Sequence, residues 1–409
     1  MSLPEKLQDL SLQVASAEQA SLRKRSVYSL TYTDTAQHTV GLSLPIVEKV
    51  FQDGDLFASL DMNLPEGYLF ERIVDRYPKF PLNKMHLLAL MGAGAIGRVT
   101  YAQPGQPALP LPGQVSRQEL LSGHRSDALF HELVETFLGA GSALSGVQPK
   151  VMVPVGDKAA LSTPNVIIKA EGVRYPGLSA NEWMCLTAAR CAGLTVPQFD
   201  LSADGQLLVV DRFDLLADGT RLGFEDMAAI MQLRVRDRLS SRKYLGSYED
   251  IAVALRLVCT DVAVALEQFF GYLVFSVLVR NGDAHLKNFA VLYDDQRTWL
   301  SPLYDQVTTT IYTYERPGGV ESVDRTMALK LRRGARSGEA SRARSYPSLI
   351  ELQAFGREVC GVYNPAAVVV RVQEGMRQAL ALAEANSAVP STVRQAMAQA
   401  WQDGGLPAR

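Results

Sequence analysis

The chain has four cysteines and five histidines in 409 residues, and no Cys-x-x-Cys pair. Cys185, Cys191, Cys259 and Cys360 are too few and too dispersed for a disulfide framework. The ligand spacing of a structural zinc site is missing as well. Long apolar runs are absent: no segment reaches the roughly eighteen uninterrupted apolar residues that span a bilayer, and residues 1–20 carry no signal-type hydrophobic core. A cytoplasmic protein with no membrane contact is therefore expected. Charge of one sign is not in excess either. Lys plus Arg number 41 against 43 Asp plus Glu, a formal net charge of −2, so no bulk field draws the chain to nucleic acid. What remains is an ordinary globular composition, 47% hydrophobic and 21% charged. The length exceeds what one core organises, and two or three subdomains are expected.

Residues 1–25 are polar and are expected to form an arm, helical or loose. In residues 26–112, strands are predicted over 27–32 and 39–44 and helices over 68–75 and 84–91. Four prolines and two glycines in residues 104–113 mark a linker. Residues 113–213 read as a small β-rich lobe, with a helix over 127–138, strands over 150–155, 165–170 and 206–213, and a helix over 181–192. Residues 214–409 turn mostly helical, with apolar runs over 251–257, 262–279 and 366–383. The expected fold class is α+β: a two-lobed protein-kinase-like fold with a small β-rich lobe, a larger helical lobe and a small α/β subdomain in front.

One glycine motif is a decoy. Residues 92–97 read GAGAIG and match the dinucleotide-binding GxGxxG pattern. That site needs a strand before, a helix after and an acidic residue about twenty positions on. Here strand-forming Val99-Thr100-Tyr101 and then the proline linker come next, so a turn between a helix and a strand is expected.

The most informative stretch is Asn281-Gly282-Asp283-Ala284-His285-Leu286-Lys287-Asn288, with Tyr304-Asp305 beyond a short strand-like segment over 289–293. Phosphoryl transfer needs a carboxylate to orient the attacking hydroxyl, and an amide and a second carboxylate to hold magnesium. Asp283, Asn288 and Asp305 supply that set in the order of a kinase catalytic loop and its metal-binding aspartate. Upstream, Ser145-Gly146-Val147-Gln148-Pro149-Lys150 precedes a strand and could bring backbone N–H groups to phosphate oxygens, or be an ordinary turn. Lys169 ends a strand where a kinase presents its phosphate-binding ammonium; a lysine snorkelling to solvent is the bland alternative. Glu182 starts a helix and could pair with Lys169, or be favourable first-turn charge. Asp211-Arg212-Phe213-Asp214 leaves a strand where an adenine-binding hinge would lie. Each piece is weak alone, and their order favours an ATP-dependent kinase.

These pieces together resemble the HipA family of bacterial serine/threonine kinases, the toxin halves of toxin–antitoxin pairs. SGVQPK at 145–150, IIK at 167–169, NEWMCL at 181–186, DRFD at 211–214, NGDAHLKN at 281–288 and PLYD at 302–305 carry the resemblance. LSLPI at 42–46 and MNLPEGYL at 62–69 look like that family's amino-terminal subdomain. The resemblance implies Asp283 as catalytic base and Asn288 and Asp305 as Mg2+ ligands. It implies ATP contacts from residues 145–150, Lys169, Asp211, Arg212, Phe213, His285, Lys287 and Tyr304. In the family's best-known toxin a serine three positions before the loop glycine is autophosphorylated. That position here is Ala143, so Ser145 is the expected regulatory phosphosite and Ser142 an out-of-register candidate. The implied partners are a helix-turn-helix antitoxin, through which DNA is mainly contacted, and a protein substrate such as an aminoacyl-tRNA synthetase. Rival readings are an ATP-dead DNA corepressor acting with an antitoxin, and a small-molecule kinase or nucleotidyltransferase on the same fold. The basic runs at 234–243 and 330–344 read as solvated loops or as contacts to a nucleic-acid-bearing partner.

Overall fold

Leu10, Leu12 and Val14 alternate with polar residues in the amino-terminal stretch, and that alternation makes a strand rather than the expected arm. The computed structural model describes residues 4–106, 116–124, 126, 128–133, 150–153, 165–171, 175–234, 242–316, 320–334 and 344–407. Strand β1 (Asp9–Val14) pairs antiparallel with β2 (Ala17–Lys24), placing Leu10 opposite Leu22 and Leu12 opposite Ala20. The two residues between them, Ala15 (φ +50°) and Ser16 (φ +65°), adopt the left-handed conformations that a two-residue hairpin turn requires. Strand β3 (Tyr28–Tyr32) pairs with β2, β4 (Val50–Asp53) with β3, and β5 (Thr100–Ala102) with β1, giving the order β4-β3-β2-β1-β5.

Residues 39–44 do not form the predicted strand. Tyr32 ties them into a turn, its Oη accepting from Val40 N at 2.9 Å and donating to Leu44 O at 2.5 Å. Helices α1 (Ala58–Asp61), α2 (Gly67–Arg76) and α3 (Lys84–Met91) follow. A capping box between Asn83 and His86 starts α3. GAGAIG then forms a short 3-10 turn, Gly92–Gly94, and leads into β5, as the decoy reading expected. Gly97, at φ +88°, needs its missing Cβ, which would otherwise lie 3.2 Å from Phe224 N.

Next come α4 (Arg117–Leu121) and the antiparallel pair β6 (Lys150–Val153) and β7 (Val166–Ala170), with Lys150 opposite Lys169. Most of the proline linker and the second half of the helix expected over 127–138 lie outside the described residues. Helix α5 (Leu178–Cys191) and strands β8 (Phe199–Leu201), β9 (Leu207–Asp211) and β10 (Gly223–Asp226) follow. Asp226 caps the short helix α6 (Met227–Ile230) through Ala229 N. Beyond it the chain is mainly helical: α7 (Tyr248–Val258), α8 (Val262–Leu278), α9 (Leu349–Glu358), α10 (Pro365–Ala385) and α11 (Ser391–Asp403). Short strands β11 (Ala290–Tyr293), β12 (Thr298–Leu300), β13 (Tyr314–Arg316) and β14 (Val320–Ser322) lie between α8 and α9.

The chain divides into two units. The first comprises Met1–Ala170, Val209–Arg242 and Leu292–Gln296; the second, Glu171–Leu208, Lys243–Val291 and Arg297–Arg409. In the second unit α8 is buried along most of its length, with Phe269, Phe270 and Phe275 fully inside. A helix apolar on nearly every side is a core helix, and its end delivers the chain to residues 281–288. Among the described residues no helix is long and apolar enough to cross a membrane.

Candidate active site

Two loops of the second unit carry six of the expected site residues: Asp283, His285, Lys287 and Asn288 on one, Tyr304 and Asp305 on the other. After α8, Arg280 turns the chain at φ +58°, and Asn281 Oδ1 accepts the Asp283 N–H at 3.0 Å, an Asx-type turn that side-chain chemistry favours. Gly282 sits where a Cβ would lie 2.6 Å from Thr326 O, so no larger residue fits without backbone movement. Asn288 Nδ2 donates to Asp283 O at 2.8 Å, and Asn288 N to His285 O at 2.9 Å, closing the loop on a 3-10 turn, Leu286–Asn288. Tyr248 Oη donates to Ala284 O at 3.0 Å from α7. The base candidate therefore has its backbone fixed, while its side chain stays 45% exposed.

The second loop carries Asp305 at φ +52°, a left-handed conformation that aspartate tolerates better than most residues. Tyr304 Oη donates to Lys287 O at 2.7 Å and so ties this loop to the first. Gln306, with 0% exposure, joins them from beneath. Its Oε1 accepts from Asn281 Nδ2 at 3.1 Å and Ser276 Oγ at 3.0 Å, and its Nε2 donates to Tyr304 O at 3.1 Å. Thr308 is held by Asn181 of α5, which accepts its N–H at 2.8 Å and donates to its carbonyl at 3.0 Å. Trp401 Nε1 of α11 donates to Thr308 Oγ1 at 2.9 Å.

The His285 ring lies among these groups. Burial pushes its imidazole down to about 4, helped by Lys243 and Lys287 and opposed by the carboxylates of Asp283 and Asp305. It is neutral near pH 7, and its buried Nδ1 has no hydrogen-bond partner among the described residues. A neutral imidazole with a spare ring nitrogen can take or give one hydrogen bond to a ligand.

In the first unit, Lys169 on β7 is 3% exposed, which rules out a lysine reaching to solvent. A charge buried this far requires compensation, and Lys169 is not without an interaction in the structure. Glu182, in the second unit on α5, is equally buried. Asp211 Oδ1 accepts from Arg117 Nη1 at 2.6 Å. The Arg212 guanidinium is committed to structure: Nε donates to Asp214 Oδ1 at 2.8 Å, and Nη2 to Asp214 Oδ2 and to Ala95 O. Burial alone would raise the Asp214 carboxyl. Arg212, Arg221 and the Gly97 N–H overcome it and hold the group below its ordinary value. Phe213 rests against Phe224, ring centroids 6.1 Å apart. Ser142, Ala143, Ser145, Gly146, Val147, Gln148 and Pro149 lie outside the described residues; Lys150 is described as the first residue of β6.

Sequence reading did not find Tyr244, Gln306 or Thr308. Tyr244 Oη donates to Asp283 Oδ1 at 2.8 Å from 39 positions away, and no local pattern announces such a pairing.

The family model described as HipA-like C-terminal domain matches residues 142–396, and that of the HipA N-terminal domain matches residues 13–102. A Sinorhizobium fredii protein named "Putative kinase Y4dM" is 31% identical over 274 residues, covering 61% of this chain and 61% of the relative. A second from that organism, "Putative kinase Y4mE", is 32% identical over 249 residues, covering 57% and 59%. The chain thus spans about three fifths of the length of these relatives. A solved Shewanella oneidensis structure, titled as a toxin antitoxin system HipA, HipB and operator DNA complex, superposes with a TM-score of 0.70 at 17% identity. It covers 97% of this chain and 96% of that one, and so shows the same mixed α/β fold. With one family model matching more than half of its residues and a second matching its amino-terminal part, the chain belongs to the HipA family.

Proposed function

We propose that the protein is an ATP-dependent kinase that transfers the γ-phosphoryl group to a serine or threonine hydroxyl of another protein. The observation that carries this reading is the loop in which a half-exposed Asp283 carboxylate sits on a backbone fixed by Asn281, Asn288 and Tyr248. Asp283 accepts the acceptor's hydroxyl proton. The acceptor oxygen bonds to the γ-phosphorus, and the bond from that phosphorus to the β,γ-bridging oxygen breaks, its electron pair leaving with ADP. Positioning and charge placement supply most of the catalysis in such a reaction.

Asn288 and Asp305 would hold Mg2+. Asn288 Nδ2 is engaged with Asp283 O, which leaves its Oδ1 as the acceptor for a cation. Among the described residues there is no cluster of three or more His, Cys, Asp or Glu, and one carboxylate plus one amide suits magnesium, which completes its shell with water and phosphate oxygens. Bound there, Mg2+ would neutralise charge on the phosphates. His285 Nδ1 offers a hydrogen bond at the same loop, and Lys169, Lys287 and the loop from Ser145 to Lys150 are assigned to the phosphates. The Asp211–Phe213 backbone is assigned to adenine. Ser145 is the regulatory phosphosite, where a phosphate would add nearly two negative charges beside those of ATP. A helix-turn-helix antitoxin is the proposed partner, by analogy with the HipA–HipB pairing named in the Shewanella structure.

The test uses ATP labelled at the γ or the α position, with the full chain and a bacterial lysate, followed by mass spectrometry of the products. The reading expects γ-label on protein serine or threonine, with self-labelling at Ser145. Label transferred only from the α position would make the enzyme a nucleotidyltransferase.

A further inference from the structure

Two basic stretches stood apart from the functional reading, and their described ends meet at the base. The first stretch ends in a 3-10 turn, Arg242–Tyr244, and the second ends at Arg344. Arg344 Nη2 donates to Tyr244 O at 2.8 Å and holds that turn. Lys243 is 7% exposed, with its ammonium 5.3 Å from the centroid of the Tyr244 ring. The same ring meets His285 edge-on, centroids 5.2 Å apart and planes at 78°. Its hydroxyl ends on Asp283 Oδ1, and His285 Nε2 is 3.8 Å from that same oxygen.

We propose that Tyr244 is a positioning residue for the base: its phenol holds Oδ1 of Asp283 and presents Oδ2 to the acceptor hydroxyl. The inference rests on the reading of Asp283 as the base. A carboxylate on a half-exposed side chain can rotate, and a rotated carboxylate is not aligned with the acceptor's proton. A phenol anchored by a guanidinium at its own carbonyl, and by two ring contacts, removes that freedom. The clasp also gives the end of each basic stretch a task inside the fold, apart from any nucleic-acid partner.

The test compares wild type, Tyr244→Phe, Asp283→Asn and the double variant in the full chain, with Mg–ATP and dephosphorylated casein. ADP release to water is the readout if casein is not phosphorylated. Tyr244→Phe keeps the ring and removes only the hydroxyl. The expectation is a fall in kcat of about tenfold, the scale of one lost charge-assisted hydrogen bond, with KM for ATP within about twofold. In the Asp283→Asn background the same change should cost nothing further, because it acts through the lost carboxylate. Unchanged kcat in Tyr244→Phe, alongside an inactive Asp283→Asn, overturns the positioning role while leaving the kinase reading intact. A raised kcat also overturns it, since the phenol would then be an obstacle. Wild-type rate in Asp283→Asn strikes the kinase reading itself. A readout independent of turnover is the fluorine resonance of 3-fluorotyrosine placed at position 244. It should shift on Asp283→Ala, and an unmoved resonance means the hydrogen bond does not exist in solution.

Discussion

Replacing Gln306 by methionine keeps the side chain's length and removes both of its hydrogen-bonding groups. Gln306 Oε1 takes Asn281 Nδ2 and Ser276 Oγ, and its Nε2 serves Tyr304 O. Ser276 keeps an alternative acceptor, Tyr272 O at 2.9 Å. Asn281 Nδ2 loses its bond where solvent cannot replace it, Asn281 being 1% and Gln306 0% exposed, while Tyr304 O loses a part-buried one. A buried polar group deprived of its partner costs about 1–3 kcal/mol and the part-buried carbonyl adds less, so the substitution should cost about 2–4 kcal/mol. With a urea dependence of about 2–3 kcal/mol per molar for a unit of this size, the unfolding midpoint should fall by roughly 1–2 M. The three tryptophans, Trp183, Trp299 and Trp401, all lie in the second unit, so indole emission follows that unit by itself. Phosphoryl transfer should fall as well, because Asn281 also holds the Asp283 N–H. A midpoint within about 0.3 M of wild type would refute the claim that Gln306 joins the two loops.

Asp305→Asn should stay within about 0.5 kcal/mol of wild type while transfer falls at least about a hundredfold, because asparagine tolerates φ +52° and has lost the charge. Asp305→Val should also destabilise the second unit by roughly 1–2 kcal/mol through backbone strain, which indole emission in urea reads directly. In the first unit, burial pushes the Glu225 carboxyl up to about 7 from the ordinary 4.5, against the Leu42 N–H that it accepts at 2.5 Å. Its folded value is raised, so its contribution to stability is full below about pH 4.5 and is lost as pH rises through about 7. That contribution is about 3 kcal/mol. Glu225→Gln should remove this decline, leaving the variant relatively more stable at pH 8 than at pH 5 in urea unfolding followed by circular dichroism. An identical pH slope in both proteins would contradict the assignment.

The loop proposed as catalytic stood out in the sequence because its chemistry is contiguous: a carboxylate, an amide and a lysine fall within one octapeptide, and the structure fixes that octapeptide by local turns. Helices α3, α5, α8 and α10 were legible from apolar spacing, and the GAGAIG turn from the strand-forming residues and prolines after it. The hairpin β1–β2 was hidden by its polar composition, since only alternate residues face inward and its turn has neither glycine nor asparagine. Residues 39–44 carry strand-like residues, but Tyr32 satisfies their backbone groups in a turn. The contacts that support the site were not legible. Tyr244 and Trp401 reach it from distant elements, Asn181 lay in a quoted motif without its contact to Thr308 being foreseen, and Gln306 beside Asp305 meets Asn281 only after the chain packs. Arg212 shows the converse: its motif position suggested a ligand contact, while its guanidinium is spent on Asp214.

The most direct measurement of the central claim is transfer from γ-labelled ATP by purified Asp283→Asn and by wild type, with the urea midpoint of each recorded by indole emission. An intact fold with transfer reduced about 10²–10⁴-fold is the predicted result, the range for removing a positioned base. Transfer at the wild-type rate by a folded Asp283→Asn would contradict the assignment of Asp283 as the base.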